Sequence, residues 1–213
     1  MLHFARLYRD TLGFNVVVPD LQYHGYSGGI SVKMGWDDRR DVLKWARMAR
    51  NVWGCDFVTV HGVSMGAATT MMSSGEEDLP AYVRCFVEDC GYTSVMDEFG
   101  YLVRSAGMSE KVLADADEYC RNNYGWDFET ASAIKQVAKC ARPMLFIHGN
   151  PDHFVPTEFV YKLYEAKTQG YKELWISEGT KQHAVAYLTN MQEYTDRLRD
   201  FIAKSRELTT SPE

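Results

Sequence analysis

The stretch VTVHGVSMGAATTMM, residues 58–72, places one serine between two glycines where a strand pattern gives way to a helix pattern. The G-x-S-x-G pattern is filled by Gly62, Val63, Ser64, Met65 and Gly66. In this pattern the serine occupies a sharp turn, and the flanking glycines let the backbones pass. A serine between two glycines also occurs in ordinary loops. The prediction of a strand–turn–helix unit therefore depends on the β-branched run before the serine and on the small residues after it. The stretch predicts a strand, a tight turn that exposes Ser64 Oγ, and a helix.

The composition suits one core and excludes several kinds of partner. The 213 residues are 46% hydrophobic, so we expect a single domain over residues 1–206 and a flexible tail over 207–213. The net charge of −6, without any lysine- or arginine-rich run, gives no electrostatic footprint for nucleic acid or for an anionic membrane surface. Neither partner is expected.

The cysteines and the amino terminus favour a cytoplasmic protein. Five cysteines are an odd number and none has C-x-x-C spacing, so neither a disulfide framework nor a zinc site is predicted. Met1–Thr11 lacks the apolar core of a secretory signal, and no stretch approaches the roughly 20 apolar residues of a membrane span. We therefore expect reduced thiols and a soluble, cytoplasmic protein.

Short apolar runs alternate with helical patterns along the chain, which is typical of an open, mostly parallel α/β sheet flanked by helices. Besides Val58–Val60, the predicted strands are Asn15–Val18, Val83–Val87, Met144–Ile147 and Leu174–Ile176, about five in all. Helices are predicted near residues 4–12, 42–53, 157–166 and 194–202. Residues 100–139 interrupt the alternation with two or more helical patterns and an aromatic cluster, so they are a candidate helical cap over a pocket.

A serine hydroxyl is a poor nucleophile at neutral pH, so Ser64 needs a histidine base and an acid that orients this base. His183 follows the last predicted strand and Asp152 follows the one before it, which puts both at the carboxyl edge of a parallel sheet. Asp89, at the end of the third predicted strand, competes with Asp152 for the acid role. The other histidines near strand ends are expected to be structural: His61, His148 and His153.

Six segments carry a family resemblance: VPDLQYHGYSGG, MGWDDRRDVLKW, HGVSMGAATTMM, VEDCGYTSVMDEF, PMLFIHGNPDHFVPTE and QHAVAY. Together they resemble a bacterial branch of the α/β-hydrolase superfamily, mostly uncharacterised serine hydrolases of the esterase type. The resemblance implies Ser64 as nucleophile, Asp152 as acid, His183 as base and a short cap after the third strand. Relatives usually carry HGD where this chain has HGN at residues 148–150. Because the acid of the family matches Asp152, this departure leaves the triad intact.

The tetrahedral intermediate of acyl transfer needs two hydrogen-bond donors, and the turn supplies one of them, the backbone N–H of Met65. In the family the second donor comes from a loop before the first helix, and this sequence begins at that helix. Compared with relatives, the sequence looks truncated by its first three strands and by half of the oxyanion hole. We expect any activity to be weak, because losing one donor costs on the order of a hundred- to a thousandfold in rate.

The resemblance also predicts a gap in the sheet, because the third strand of the family lies between the strands that match Asn15–Val18 and Val58–Val60. Unpaired backbone along two apolar strands is costly. We expect one of three outcomes. The flanking strands pair directly, a neighbouring chain in a homo-oligomer covers the exposed edges, or the natural protein is longer than this sequence.

Two functions are consistent with these observations. The first is a serine hydrolase that cleaves a small-molecule carboxylic ester through an acyl-enzyme on Ser64, with a thioester or a peptide as alternative substrates of the same triad. The second is a truncated, catalytically impaired hydrolase fold that acts as a binding or oligomerising module. No cofactor or metal is expected, because the sequence has no G-x-x-x-x-G-K, H-E-x-x-H or paired C-x-x-C pattern.

Overall fold

The computed structural model describes residues 1–180 and 182–210 of the chain. Within these residues, four parallel strands form one sheet in the spatial order β1-β2-β3-β4. The strands are β1 (Val58–Val63), β2 (Val83–Asp89), β3 (Met144–Asn150) and β4 (Lys172–Glu178). The strands predicted at these four positions are confirmed, and the structure extends each of them by a few residues.

Helices connect the strands and cover the sheet. Before β1 lie α1 (Leu2–Arg6), which continues as a π-helical segment over Leu7–Thr11, and α2 (Asp38–Trp53). The β1–β2 connection contains α3 (Met65–Ser74), and the β2–β3 connection contains α4 (Val95–Ser105), α5 (Glu110–Tyr124) and α6 (Ala133–Val137). After β3 comes α7 (Glu158–Ala166), and after β4 come α8 (Ala186–Thr189) and α9 (Met191–Thr210).

Helices pack on both sides of the sheet, so a central strand such as β3 is apolar on both faces. Successive side chains of a strand point to opposite faces. Met144 and Phe146 of β3 therefore join the core formed with α2, α3, α6 and α7. Leu145 and Ile147 join the second core, formed with α1, α8 and α9.

The strand register aligns the carboxyl ends of all four strands. Val63 of β1 pairs with Asp89 of β2, Asp89 with Ile147 of β3, and Ile147 with Trp175 of β4. The segments that follow the strands therefore leave from one edge of the sheet. This edge is where open parallel sheets bind ligands.

The fifth predicted strand, Asn15–Val18, is wrong. The segment is neither strand nor helix, and the side chains of Val16, Val17 and Val18 are 37%, 42% and 47% exposed. A strand needs a hydrogen-bonded neighbour, and among the described residues β1 pairs only with β2. Direct pairing of the two flanking segments, one of the three expected outcomes, is therefore not found. A groove of about 1480 Å³ lies along β1 instead, lined by residues 14–19 and by parts of α1 and α2.

The long β2–β3 connection is helical, as the pattern over residues 100–139 predicts. Its first helix, α4, begins after Ser94, whose Oγ accepts a 3.0 Å hydrogen bond from the backbone N–H of Asp97. The Tyr101 hydroxyl of α4 donates to the carbonyl of His153 at 3.0 Å, so this connection contacts the loop that follows β3. Its cap role stays a prediction.

The carboxyl-terminal helix α9 runs through Thr210. The first four residues of the predicted tail, 207–210, are therefore helical, and residues 211–213 lie outside the described residues. Across the part of the chain that the structure describes, no helix has the length and apolarity needed to cross a bilayer.

Candidate active site

Ser64 lies on the turn between β1 and α3 in an unusual backbone conformation. Its φ of 57° and ψ of −121° fall in a region that residues with side chains rarely adopt. The Ser64 N–H donates a 2.8 Å hydrogen bond to the carbonyl of Asp89, so the end of β2 holds the turn in place. Ser64 therefore occupies a sharp, strained turn between strand and helix, as the G-x-S-x-G pattern predicts.

The two glycines of the turn are not equivalent. A Cβ added to Gly62 would lie 2.0 Å from the carbonyl oxygen of Gly66, which no real contact allows. A Cβ added to Gly66 would meet nothing within 4 Å. The close passage of the two backbones therefore requires a glycine at position 62, and the expectation that both flanking positions lack bulk holds for Gly62 alone.

His183 joins Ser64 and Asp152 in one chain of hydrogen bonds. Its Nε2 lies 2.7 Å from Ser64 Oγ, and its Nδ1 lies 2.7 Å from Asp152 Oδ2. An ionised carboxylate only accepts hydrogen bonds, so Nδ1 carries the proton, and Nε2 of the neutral ring accepts the hydroxyl hydrogen of Ser64. The structure thus brings together the three predicted residues in an arrangement that can remove the hydroxyl proton of Ser64.

The surroundings of Asp152 favour its ionised form. Burial alone would raise the pKa of Asp152, but the nearby His148 ring and the hydrogen bonds from His183 and from the Phe154 N–H outweigh it and hold the pKa well below its usual value. Oδ1 accepts the backbone N–H groups of Phe154 at 2.9 Å and of Val155 at 3.1 Å. Asp152 is therefore a fixed negative charge beside His183.

Asp89, the alternative acid, has a different partner. Its Oδ2 accepts a 2.9 Å hydrogen bond from the Tyr194 hydroxyl. Burial raises the pKa of Asp89 to about 6, although the bond from Tyr194 acts in the opposite direction. Among the described contacts, Asp152 and not Asp89 is hydrogen-bonded to His183.

The backbone N–H of Met65 is placed to meet a negative oxygen. Met65 is the first residue of α3, so its N–H has no acceptor within the helix. The amino-terminal end of a helix also carries partial positive charge. This N–H, adjacent to Ser64, can stabilise the oxyanion that forms when a serine attacks a carbonyl.

The donor atoms of Cys90, Asp152 and His183 lie within 4.8 Å of one another, which is the one grouping of metal-type ligands among the described residues. Both ring nitrogens of His183 are already engaged, one with Ser64 and one with Asp152. A metal ion would have to displace the hydrogen bond between Asp152 and His183. We therefore interpret the cluster as part of the Ser–His–Asp arrangement.

Sequence reasoning missed the contribution of the loop after β3. Phe154 supplies an N–H to Asp152, and its ring lies 5.1 Å from the His183 ring. His148, predicted to be structural, has its Nε2 3.0 Å from the Val155 carbonyl and 3.6 Å from Asp152 Oδ2. These contacts depend on the path of the loop, for which the residue pattern HFVP gives no signal.

A parallel α/β sheet that presents a serine on a turn between strand and helix is the architecture of the α/β-hydrolases. The chain has this fold, and the predicted resemblance is confirmed at that level. No protein-family model matches the chain. It is similar, at 28% identity over 211 residues, to the uncharacterized protein YqkD of Bacillus subtilis strain 168, and the match covers 98% of this chain and 68% of YqkD.

Two solved structures illustrate the likeness. The esterase Pf2001 of Pyrococcus furiosus superposes with a TM-score of 0.71 at 22% identity, over 95% of this chain and 76% of the esterase. The acylaminoacyl peptidase of Pyrococcus horikoshii superposes with a TM-score of 0.60 at 15% identity, over 85% of this chain and 29% of the peptidase. Identities this low establish a shared fold, and the activity has to be argued from the site.

Proposed function

We propose that the protein is a serine hydrolase that cleaves a carboxylic ester through an acyl-enzyme on Ser64. The observation that carries this proposal is the chain of two 2.7 Å hydrogen bonds from Ser64 through His183 to Asp152. Ser64 Oγ attacks the carbonyl carbon while His183 Nε2 accepts its proton, and Asp152 holds the ring and stabilises the imidazolium. The Met65 N–H stabilises the oxyanion.

The expected rate is low for this class of enzyme. Met65 supplies the one oxyanion donor that we identify among the described residues, and loss of one donor costs on the order of a hundred- to a thousandfold. Thioesters and peptides are alternative substrates, because the same residues would acylate on any of them. We favour esters over peptides because an alcohol is a better leaving group than an amine, which suits a site with limited oxyanion stabilisation.

The test is labelling by a fluorophosphonate probe, followed by intact mass measurement. Labelling of one site per chain is expected, and it should disappear in Ser64→Ala and His183→Ala. His153→Ala is the matched control, because His153 is an exposed histidine of the neighbouring loop. Absence of labelling in a folded protein, or labelling that survives in Ser64→Ala, would contradict the proposal.

A second candidate function is a binding or oligomerising module, and the groove along β1 favours it. The groove is large, about 1480 Å³, and the valines of residues 16–18 are among its lining residues. An unpaired strand edge readily accepts another strand. Light scattering coupled to size exclusion would show a stable homo-oligomer if a second copy covers this edge, whereas a monomer that labels on Ser64 would favour the enzyme.

A further inference from the structure

The ring of Phe154 is half exposed beside the histidine of the site. The centroids of the Phe154 and His183 rings lie 5.1 Å apart, with their planes tilted by 46°. The Phe154 residue remains 52% exposed. Single exposed apolar side chains are common on protein surfaces, so exposure alone implies no function. The contact with His183 is what distinguishes Phe154.

The loop that carries Phe154 is anchored on both sides of this residue. The N–H groups of Phe154 and Val155 both donate to Asp152 Oδ1, and the Val155 residue is only 1% exposed. The carbonyl of the preceding residue, His153, accepts a hydrogen bond from Tyr101. The exposed ring is therefore held by a fixed backbone, and a ligand that contacts it loses little entropy in ordering it.

The position of His183 indicates which part of an ester would meet this ring. In acylation, the bond from Ser64 Oγ to the carbonyl carbon forms while the hydroxyl proton passes to His183 Nε2. When the tetrahedral intermediate collapses, the carbon–oxygen bond to the alcohol breaks and Nε2 returns the proton to that alcohol oxygen. The leaving alcohol therefore lies within hydrogen-bond reach of His183, on whose ring Phe154 packs.

Building on the proposed function, we propose that Phe154 is a specificity-determining residue that selects esters with a flat, apolar alcohol part, such as a benzyl group. Aromatic rings associate favourably at centroid separations of about 4.5–7 Å, in offset or edge-to-face geometry. A benzyl group next to His183 would cover the exposed face of Phe154. The acyl part, attached to Ser64 on the other side of the carbonyl, would not meet this ring.

The test compares four esters that separate the two parts of the substrate: ethyl acetate, benzyl acetate, ethyl phenylacetate and benzyl phenylacetate. Ethanol and benzyl alcohol have similar intrinsic leaving ability, so the comparison reports contact and not reactivity. In Phe154→Ala, the preference for benzyl over ethyl in kcat/KM should fall about tenfold with either acyl group. The preference for phenylacetate over acetate should stay unchanged. Tyr161→Ala is the matched control, since Tyr161 is a 45% exposed aromatic residue of α7.

The outcomes distinguish this inference from the proposed function. An equal decrease for all four esters would mean that Phe154 only positions His183, and a change in acyl preference would place the ring on the other side of the site. Either result overturns the inference. Cleavage of none of the four esters by a protein that still labels on Ser64 also overturns it and leaves the nucleophile in place. Failure of labelling in the unmodified protein overturns the proposed function itself.

Discussion

Tyr194 donates a 2.9 Å hydrogen bond to Asp89 and so engages the carboxylate that competes with Asp152 for the acid role. The same hydroxyl lies 3.1 Å from His61 Nε2, and the Tyr8 hydroxyl lies 3.0 Å from His61 Nδ1. Desolvation lowers the pKa of His61 to about 3, so its ring is neutral at physiological pH. One assignment gives both hydroxyls and both ring nitrogens a partner: Tyr8 donates to Nδ1, Nε2 donates to Tyr194, and Tyr194 donates to Asp89. This chain of four residues connects the π-helical segment after α1 with β1, β2 and α9.

The first prediction concerns the choice of acid. Asp152→Asn should lower the rate of fluorophosphonate labelling by up to about ten-thousandfold, because an amide no longer fixes the productive tautomer of His183. Asp89→Asn should leave the labelling rate close to that of the unmodified protein, because Asp89 contacts Tyr194 and not His183. Intact mass against time measures both rates. Comparable losses in the two variants would show that Asp89 shares the acid role.

The second prediction concerns the Tyr194 hydroxyl. Tyr194→Phe leaves a buried carboxyl and a histidine nitrogen without their partner, so the free energy of unfolding should fall by about 1–3 kcal/mol. Urea unfolding measures this change. Tyr187→Phe is the control, because the Tyr187 ring packs 5.3 Å from the Tyr194 ring. A loss of stability that is equal in both variants would argue against the hydrogen-bond chain.

The sequence was sufficient to place four strands, because each is a short run of apolar or β-branched residues. The sequence also predicts that Ser64, Asp152 and His183 lie at one edge of the sheet, because the carboxyl ends of parallel strands meet there. Strand positions alone left the choice between Asp152 and Asp89 open, since Asp89 ends β2 and Asp152 follows β3. The family resemblance decided the choice in favour of Asp152. Tyr194, which engages Asp89, is 105 residues away in sequence.

The prediction of a strand at Asn15–Val18 was wrong for a different reason. A run of valines indicates a side-chain preference for pleated, half-buried surfaces, but strand formation also needs a partner that supplies the ladder of hydrogen bonds. Among the described residues, β1 offers no such ladder to this segment. The valines do prefer a strand, but whether a partner strand lies beside them is decided by the whole fold.

The third prediction separates the two glycines of the turn. Gly62→Ala should abolish labelling of Ser64 and lower stability, because the new methyl group would lie 2.0 Å from the Gly66 carbonyl oxygen. Gly66→Ala should fold normally, since an added Cβ there meets nothing within 4 Å. Thermal unfolding and labelling of the two variants give the comparison. Equal tolerance of alanine at both positions would show that the turn differs from the one described.

The last prediction concerns Glu98 of α4, which is only 2% exposed. Neither of its carboxylate oxygens has a hydrogen-bond partner among the described residues. Burial raises the pKa of Glu98 to about 8, and the negative charge of Asp152 contributes in the same direction. The folded protein therefore keeps this proton up to about pH 8, whereas the unfolded chain releases it near the ordinary value of 4.5.

Because the folded state holds the Glu98 proton between these two values and the unfolded state does not, the contribution of Glu98 to stability should fall as the pH rises from about 5 to about 8. The free energy of unfolding decreases by about 1.4 kcal/mol for each unit by which the pKa of Glu98 in the folded protein exceeds its pKa in the unfolded chain. Glu98→Gln removes the ionisable group and keeps the shape, so its advantage in stability over the unmodified protein should grow across this range. Urea unfolding at pH 5 and at pH 8 measures the difference. A difference between the two proteins that is the same at both pH values would mean that Glu98 finds a partner for its charge in solution.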